Sequence, residues 1–302
     1  SLVTVCEAIF AFDGSRDHLV VTMLRLPRVL AGAMAGAALA VAGAVMQAAT
    51  GNPLASPGLL GINAGGAFAV VAAMALQMTG SMSDGNGLTW YAFGGAATAG
   101  FAVHALGSLG PGGPTSLKLV LAGAVVGTFL TSLTAAILIF DQATLDAVRL
   151  WTVGSLSGRT MGQVMAVAPY IATGLAAALV LRRQFTTLSL GSDISGALGQ
   201  RPLLWRTISV VIVVLLAGSA VALAGPVGFV GLVIPHIARL TVGADYRWIV
   251  PYSAIGGALL LVTADVIGRG LFANQDFPVG VTMALIGAPF FLWLARYRLR
   301  ST

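Results

Sequence analysis

Nine apolar stretches of 17 to 24 residues follow one another along this chain of 302 residues. A helix of that length measures roughly 25 to 36 Å, and the hydrocarbon core of a bilayer is about 30 Å thick. Only 9% of the residues are charged, whereas about 25% is usual in soluble domains. The sequence therefore predicts an all-α polytopic membrane protein. The predicted spans lie at about 27–50, 57–79, 88–108, 117–140, 161–181, 203–224, 226–242, 248–270 and 278–297.

Two of these stretches share a sequence pattern. AGAALAVAGAV at 35–45 matches AGSAVALAGPV at 217–227, and the same alignment places Pro53 opposite Pro235. Paired apolar helices that end at Gly and Pro indicate a transporter built from two structural repeats. We expect one transmembrane domain over 1–302, with repeat halves at about 25–140 and 203–298. The alternative is a chance alignment of segments rich in Ala, Gly and Val.

Small residues and Pro235 indicate how the helices pack. The spacing of Gly32 and Gly36 is typical of helices that approach one another closely. The stretch at 226–242 is short and interrupted by Pro235, which predicts a bent or partial crossing.

The basic residues predict an orientation. With a cytoplasmic C-terminus, ten basic residues lie inside and six outside, as the positive-inside rule expects. The net charge of +6 then belongs to loops and headgroup contacts, and no nucleic acid partner is predicted. Ser1 falls outside in this orientation, so we expect that one preceding helix is missing. The inner set is Lys118, Arg182, Arg183, Arg201, Arg206, Arg239, Arg247, Arg296, Arg298 and Arg300, and the outer set is Arg16, Arg25, Arg28, Arg149, Arg159 and Arg269.

Catalytic chemistry has little support in the sequence. A phosphate loop needs Gly-Lys-Ser/Thr, but the lone lysine, Lys118, follows Leu117. Neither a His/Glu zinc motif nor a nucleophile elbow occurs, and one cysteine, Cys6, provides no intrachain disulfide. We predict no catalytic, cofactor-binding or metal-binding residue. The energy for transport must come from another subunit or from an ion gradient.

An ion-coupled secondary transporter is the alternative function. Such transporters place ionisable side chains within their spans, where the coupling ion binds. The candidates here are few: His104 near one span end, Asp265 near an outer end, and His236 in the interrupted segment. A lone histidine near a helix end is more often satisfied by its neighbours.

A polar segment from Thr186 to Arg206, TTLSLGSDISGALGQRPLLWR, separates two spans on the predicted cytoplasmic side. Its apolar residues alternate with Ser, Gly and Asp, and glycines interrupt it at Gly191 and Gly199. The pattern predicts one or two short amphipathic helices at the membrane surface. Such a segment can be held by a partner subunit; the alternative is an ordinary interfacial helix.

Arginines form a second group at the predicted outer face. Arg25 and Arg28 lie at the start of the first span, and Arg269 lies at the end of the span that contains Asp265. The planar guanidinium binds carboxylates through two parallel hydrogen bonds, so these residues fit the docking of an acidic partner. Two alternatives stand beside docking: an ion pair between Arg269 and Asp265, four residues apart, and contact with lipid headgroups.

Seven motifs, in order, resemble the FecCD family of permease subunits of ATP-binding-cassette (ABC) importers. They are RLPRVLAGAMAGAALAVAGAVMQ, NPLASPGLLGINAGG, LVLAGAVVG, LWTVGSLSGR, GPVGFVGLVIPHIARL, LVTADVIGR and FPVGVTMALIGAPFFLWL, within about 22–298. The resemblance implies a type II ABC importer permease fold with an inverted internal repeat. That family has ten helices, of which nine are visible here.

The resemblance also implies a function and partners. The expected cargo is an iron(III)-siderophore complex, or haem or cobalamin, which crosses the bacterial inner membrane between two permease chains. The expected partners are two ATPase subunits, a second permease chain and a periplasmic or lipid-anchored binding protein. Arg25, Arg28 and Arg269 would face glutamates of the binding protein. The ATPase coupling loop would contain Leu188, Leu190, Gly191, Ser192, Asp193, Gly196, Leu198 and Gly199.

Overall fold

A computed structural model describes residues 2–78, 87–110, 115–271 and 277–299, and its secondary structure there is helical, without a strand. The predicted all-α class is therefore confirmed. Arg300, one of the basic residues of the predicted cytoplasmic tail, lies outside the described residues. The helices are α1 (Leu2–Phe10), α2 (Arg16–Leu19), α3 (Leu26–Thr50), α4 (Ile62–Ala75), α5 (Gly87–Gly107), α6 (Ser116–Phe140), α7 (Gln142–Thr152), α8 (Met161–Val180), α9 (Arg182–Leu188), α10 (Ser192–Ala197), α11 (Pro202–Ala224), α12 (Val230–Val242), α13 (Tyr246–Leu271) and α14 (Val279–Leu299).

Five helices of the described part are long and apolar enough to cross a membrane. They are Arg16–Thr50, Leu117–Phe140, Met161–Val180, Pro202–Ala224 and Tyr246–Leu271. The helix α5 has sufficient length, but its Gly, Thr, aromatic and His residues lower its hydropathy. Shorter apolar helices occupy Ile62–Ala75, Val230–Val242 and Val279–Leu292. Each predicted span thus contains a helix, and these helices differ in length and in hydropathy.

Two predicted spans are shortened by turns. The stretch at 57–79 begins with a 3-10 turn, Pro57–Leu60, which ends at Gly61 in a left-handed conformation, so α4 has 14 residues. At about 21 Å, α4 alone is shorter than the hydrocarbon core. The segment with Pro235 begins at Val230 and has 13 residues, in agreement with the predicted partial crossing.

The first span starts earlier than predicted. A π-helical turn, Val20–Arg25, joins α2 to α3, so one helix continues from Arg16 to Thr50. Its first residues are polar because Ser15 caps α2 and Asp17 lies in the first turn, where acids favour the helix dipole. Because these first residues are polar, the hydropathy pattern placed the start of this helix too late in the sequence.

The centre of the bundle consists of α3 and α11. In each, 78% of the most apolar stretch is buried, compared with 6% in α6. Glycines make this burial possible because the backbones touch. A Cβ atom at Gly36 would overlap the carbonyl of Gly257 on α13, and one at Gly43 would overlap the carbonyl of Gly231 on α12. The small residues therefore pack helices against one another, as their spacing predicted.

The helices α3 and α11 run in opposite directions. The end of α3 shares a cavity with Ser189, just before α10, and α11 begins just after α10. We call this side of the bundle the α10 end. At the other side, the Arg28 end, Gly32 of α3 packs against Leu156 and Gly225 after α11 packs against Trp151. The two segments that match in sequence are thus antiparallel, as an inverted repeat requires.

Candidate functional site

The polar segment after α8 folds into two short helices at the α10 end. Phe185 and Leu188 are buried and anchor α9 to the bundle. In contrast, Leu190, Ile194 and Leu198 are 51%, 53% and 63% exposed. An apolar patch without cover on a short surface helix is typical of a protein contact. One or two short helices were predicted over 186–206, and the structure has the end of α9 and the whole of α10 there. We call residues 188–199 the α10 knob.

Glycines set the shape of the α10 knob. Gly191 has φ +98° and ψ 162°, a region that is almost restricted to glycine, and Gly199 has φ +83°. A Cβ atom at Gly191, Gly196 or Gly199 would meet no atom within 4 Å. The requirement for glycine at 191 and 199 is therefore conformational, whereas Gly196 lies in ordinary helix. Ser195 and Gln200 close the turn, since Gln200 N donates to Ser195 O at 2.9 Å.

Hydrogen bonds connect α9 to the start of α13. Thr186 Oγ1 donates to Asp245 Oδ1 at 3.2 Å and accepts from Tyr246 N at 3.0 Å. Arg182 Nη1 donates to the carbonyl of Arg247 at 3.3 Å. The hydrogen bond from Arg247 N to Asp245 lowers the pKa of that carboxyl, with a further contribution from the Arg247 side chain. Asp245 thus remains an ionised acceptor that holds α9 on α13.

A second polar link lies beside the first and is centred on a buried glutamine. Gln47 of α3 is buried; its Nε2 donates to Gly231 O at 3.1 Å, and its Oε1 accepts from Arg239 of α12. The same Arg239 lies 3.5 Å from the Tyr246 hydroxyl. These contacts join α3, α12 and α13 close to the α10 knob. These contacts were not predicted, because the residues are far apart in sequence.

At the Arg28 end, one carboxylate binds two arginines. Arg28 donates from Nε to Asp265 Oδ2 at 3.0 Å and from Nη2 to Oδ1 at 2.8 Å. Arg269 Nε lies 3.2 Å from Asp265 Oδ2. The side chains of Arg28, Asp265 and Arg269 are 14%, 5% and 38% exposed. Among the described residues, the Arg28 end therefore has an ionic cluster of two arginines and one buried carboxylate, and Arg269 is its most exposed member.

The three arginines predicted at the outer face thus differ in their surroundings. Arg25 is exposed, and among the described residues it has no ion-pair partner. Arg28 is occupied by Asp265, a pair that joins α3 to α13 and was not predicted. The helical ion pair of Arg269 with Asp265, considered as an alternative, is present.

We expect Arg28→Ala to destabilise the protein and Arg25→Ala to leave its stability unchanged. Among the described residues, removal of Arg28 leaves the buried Asp265 with Arg269 as its remaining ion-pair partner. A charge-assisted hydrogen bond contributes about 2 kcal/mol. Thermal unfolding of both variants in the same detergent measures the difference. Equal unfolding temperatures for the two variants would show that the pair does not stabilise the contact of α3 with α13.

The three candidates for ion coupling, His104, His236 and Asp265, lie on three different helices, and each has a neighbouring side chain. Thr207 Oγ1 is 3.3 Å from His104 Nε2, and Asp265 is bound by arginines. His236 is buried in α12, with its ring 6.2 Å from that of Phe290. Among the described residues, no three His, Cys, Asp or Glu side chains form a group that could hold a metal ion.

Comparison with known proteins adds an independent observation. The profile of the FecCD transport family matches residues 1–297. The probable siderophore transport system permease YfiZ of Bacillus subtilis is 44% identical, over 97% of this chain and 87% of the relative. The Fe(3+)-citrate import system permease YfmD of the same organism is 42% identical, over 98% and 87%. A metal-chelate type ABC transporter solved in an inward-facing conformation has a TM-score of 0.81 and 25% identity, over 98% of this chain and 96% of that chain.

Proposed function

Since the chain belongs to the FecCD transport family, we propose that it moves an iron(III) chelate, such as a siderophore complex, across the bacterial inner membrane. It is the permease subunit of an ABC importer, and a separate subunit hydrolyses ATP. Haem and cobalamin are the alternative cargoes. Repeat halves at about 25–140 and 203–298 form its single domain.

The exposed α10 knob is the observation that carries the proposed coupling to an ATPase. Leu190, Ile194 and Leu198 are exposed on α10 and the turns that flank it, and Phe185 and Leu188 of the preceding helix are buried in the bundle. An apolar patch of this kind is stabilised when a partner removes it from water, by about 25 cal/mol for each Å² buried. In our proposal each of two ATPase subunits holds one such knob.

The helix α13 connects the knob to the opposite end of the bundle. It begins at the hydrogen bonds between Thr186 and Asp245 and extends over 26 residues, about 39 Å, to the ionic cluster around Asp265. Movement of α9 is therefore transmitted to α13 directly. We propose that ATPase closure reaches the Arg28 end by this route.

A binding protein is proposed to dock at the Arg28 end. Arg25 is exposed there, and Arg269 of the ionic cluster is partly exposed. Both features favour an acidic partner surface through electrostatic attraction. Of the three arginines, Arg25 is the one most available for direct contact, and Arg269 is partly exposed.

The exposure of α6 supports a second permease chain as partner. Leu121, Val125 and Phe129 form a continuous apolar stripe on α6 and are each more than half exposed. Only 6% of the most apolar stretch of this helix is buried within the chain. We propose that α6 faces a homologous or identical chain, with the cargo path between the two subunits.

We expect Ile194→Ser with Leu198→Ser to reduce retention of the ATPase subunit at least about tenfold, because each change removes about 1.5 to 3 kcal/mol of apolar burial. Co-purification of the ATPase with the tagged permease measures the loss. Leu76→Ser is the control, since Leu76 is 70% exposed but follows α4 at the other end. Undiminished retention of the ATPase by the double variant would contradict the proposed coupling surface.

A further inference from the structure

A cavity of about 340 Å³ opens at the Arg28 end, between α4, the start of α5, α7 and the loop that precedes α8. Its wall combines apolar side chains, including Met74 and Trp151, with the polar residues Ser155, Ser157 and Arg159. Ligand pockets in proteins measure roughly 300 to 1,000 Å³ and have this composition of many apolar and few polar groups. The cavity is thus large enough for a small ligand or for one arm of a larger one.

Arg159 is the charged residue of the cavity wall. Its Nε is buried and has no hydrogen-bond partner among the described residues, and the structure there shows no acidic side chain in an ion pair with it. Burial lowers the pKa of Arg159, but a guanidinium stays charged at neutral pH. Arg159 as a whole is partly buried, but a buried guanidinium nitrogen with neither a hydrogen bond nor a counter-charge among the described residues is unfavourable and requires an explanation.

The loop around Arg159 is fixed at both ends. Gly154 O accepts from Gly280 N of α14 at 3.0 Å, and Leu156 is buried against α3. Thr160, the next residue, forms a reciprocal capping box with Gln163, with bonds of 3.2 and 3.3 Å. The backbone on either side of Arg159 is thus held before any ligand arrives, which reduces the entropy lost on binding.

We infer that Arg159 binds an anionic oxygen of the cargo, a carboxylate arm of the metal chelate, as the chelate enters the permease from the Arg28 end. The inference rests on the proposed function and narrows its cargo to chelates with a free or partly shared carboxylate. The guanidinium binds a carboxylate through two parallel hydrogen bonds, and Ser155 and Ser157 line the same wall. A lipid phosphate at the membrane surface has the same chemistry.

Equilibrium dialysis of the assembled transporter in nanodiscs tests the inference, with radioactive ferric citrate and a neutral ferric trihydroxamate as probes. We expect Arg159→Gln to weaken ferric citrate binding about tenfold, as for the loss of a charged hydrogen-bonding pair, and Arg159→Lys to weaken it less. Binding of the neutral probe should not change. Arg149→Gln is the control: this exposed arginine of α7 is outside the cavity wall, and its replacement changes the net charge equally.

The outcomes separate the possible sources of the anion. Unchanged ferric citrate binding by Arg159→Gln, or an equal loss in Arg149→Gln, overturns the inference. If Arg159→Gln loses co-purifying phospholipid phosphate but still binds ferric citrate normally, the inference is also overturned. The site would then belong to a lipid. A second measurement, ATP-driven uptake by the unaltered transporter, distinguishes failure of the proposed permease function from failure of the inference about Arg159. No uptake of either probe contradicts the proposed function, whereas uptake of the neutral probe alone contradicts only the anionic cargo.

Discussion

A methyl group added at Gly191 should reduce ATP-driven iron uptake about tenfold or more, whereas the same addition at Gly196 should have little effect. Both positions have open space around the missing Cβ atom, so neither alanine would collide with a neighbour. Only Gly191 has a backbone conformation that alanine avoids, at φ +98°. Strain of about 1 to 3 kcal/mol would shift the backbone and move the exposed leucines of the α10 knob. Uptake and ATP hydrolysis should therefore become uncoupled.

Transport and ATPase rates of the two alanine variants in proteoliposomes measure this effect. The permease should still insert and assemble in both, because the knob lies outside the long apolar helices. Gly199, with φ +83°, should respond like Gly191. Normal uptake and normal ATPase rates in Gly191→Ala would remove the α10 knob from the coupling mechanism.

Gly43→Ala should lower the free energy of unfolding by about 3 kcal/mol, the upper part of the usual range for overpacking. The new methyl group would overlap the carbonyl and Cα of Gly231, so α3 and α12 must separate. Separation also lengthens the hydrogen bond from Gln47 to Gly231 O, now 3.1 Å, and disturbs the neighbouring contact of Gln47 with Arg239. Gly43→Ala should therefore also weaken the hydrogen bonds of Gln47 near the α10 knob.

Gly94→Ala is the matched control for Gly43→Ala. Gly94 lies within α5, and a Cβ atom there meets nothing within 4 Å. Alanine favours a helix more than glycine does, so this variant should be unchanged or slightly more stable. Thermal unfolding of both variants in one detergent gives the comparison. If Gly43→Ala unfolds at the temperature of Gly94→Ala, the close contact of α3 with α12 does not contribute to stability.

Much of the fold follows from local patterns. Long apolar stretches predicted the helices, and paired glycines predicted helices in close contact, because both signals repeat within a single helix. The amphipathic helix α7 was missed, although Asp141 provides a signal: its carboxylate accepts from Thr144 N at 3.0 Å as an N-cap. A segment of charged and polar residues between two spans is easily predicted as a loop. Capping residues such as Asp141 indicate that it is a helix.

The polar contacts between distant residues could not be predicted in the same way. Arg28 and Asp265 are 237 positions apart, and Gln47 and Arg239 are 192 apart. Local sequence periodicity contains no information about such a pair. In a single sequence, each arginine also has several possible hydrogen-bond partners. The i,i+4 spacing identified Arg269 beside Asp265, but only the antiparallel arrangement of α3 and α13 brings Arg28 to the same carboxylate.

ATP-dependent uptake by a reconstituted complex tests the central claim most directly. The permease is placed in proteoliposomes with its ATPase, and a binding protein loaded with a radioactive iron(III) chelate is added to the outer side. The account predicts iron accumulation that requires ATP, the ATPase and the binding protein, and that persists when ionophores abolish ion gradients. Accumulation driven by a proton or sodium gradient without the ATPase would contradict it and identify an ion-coupled transporter instead.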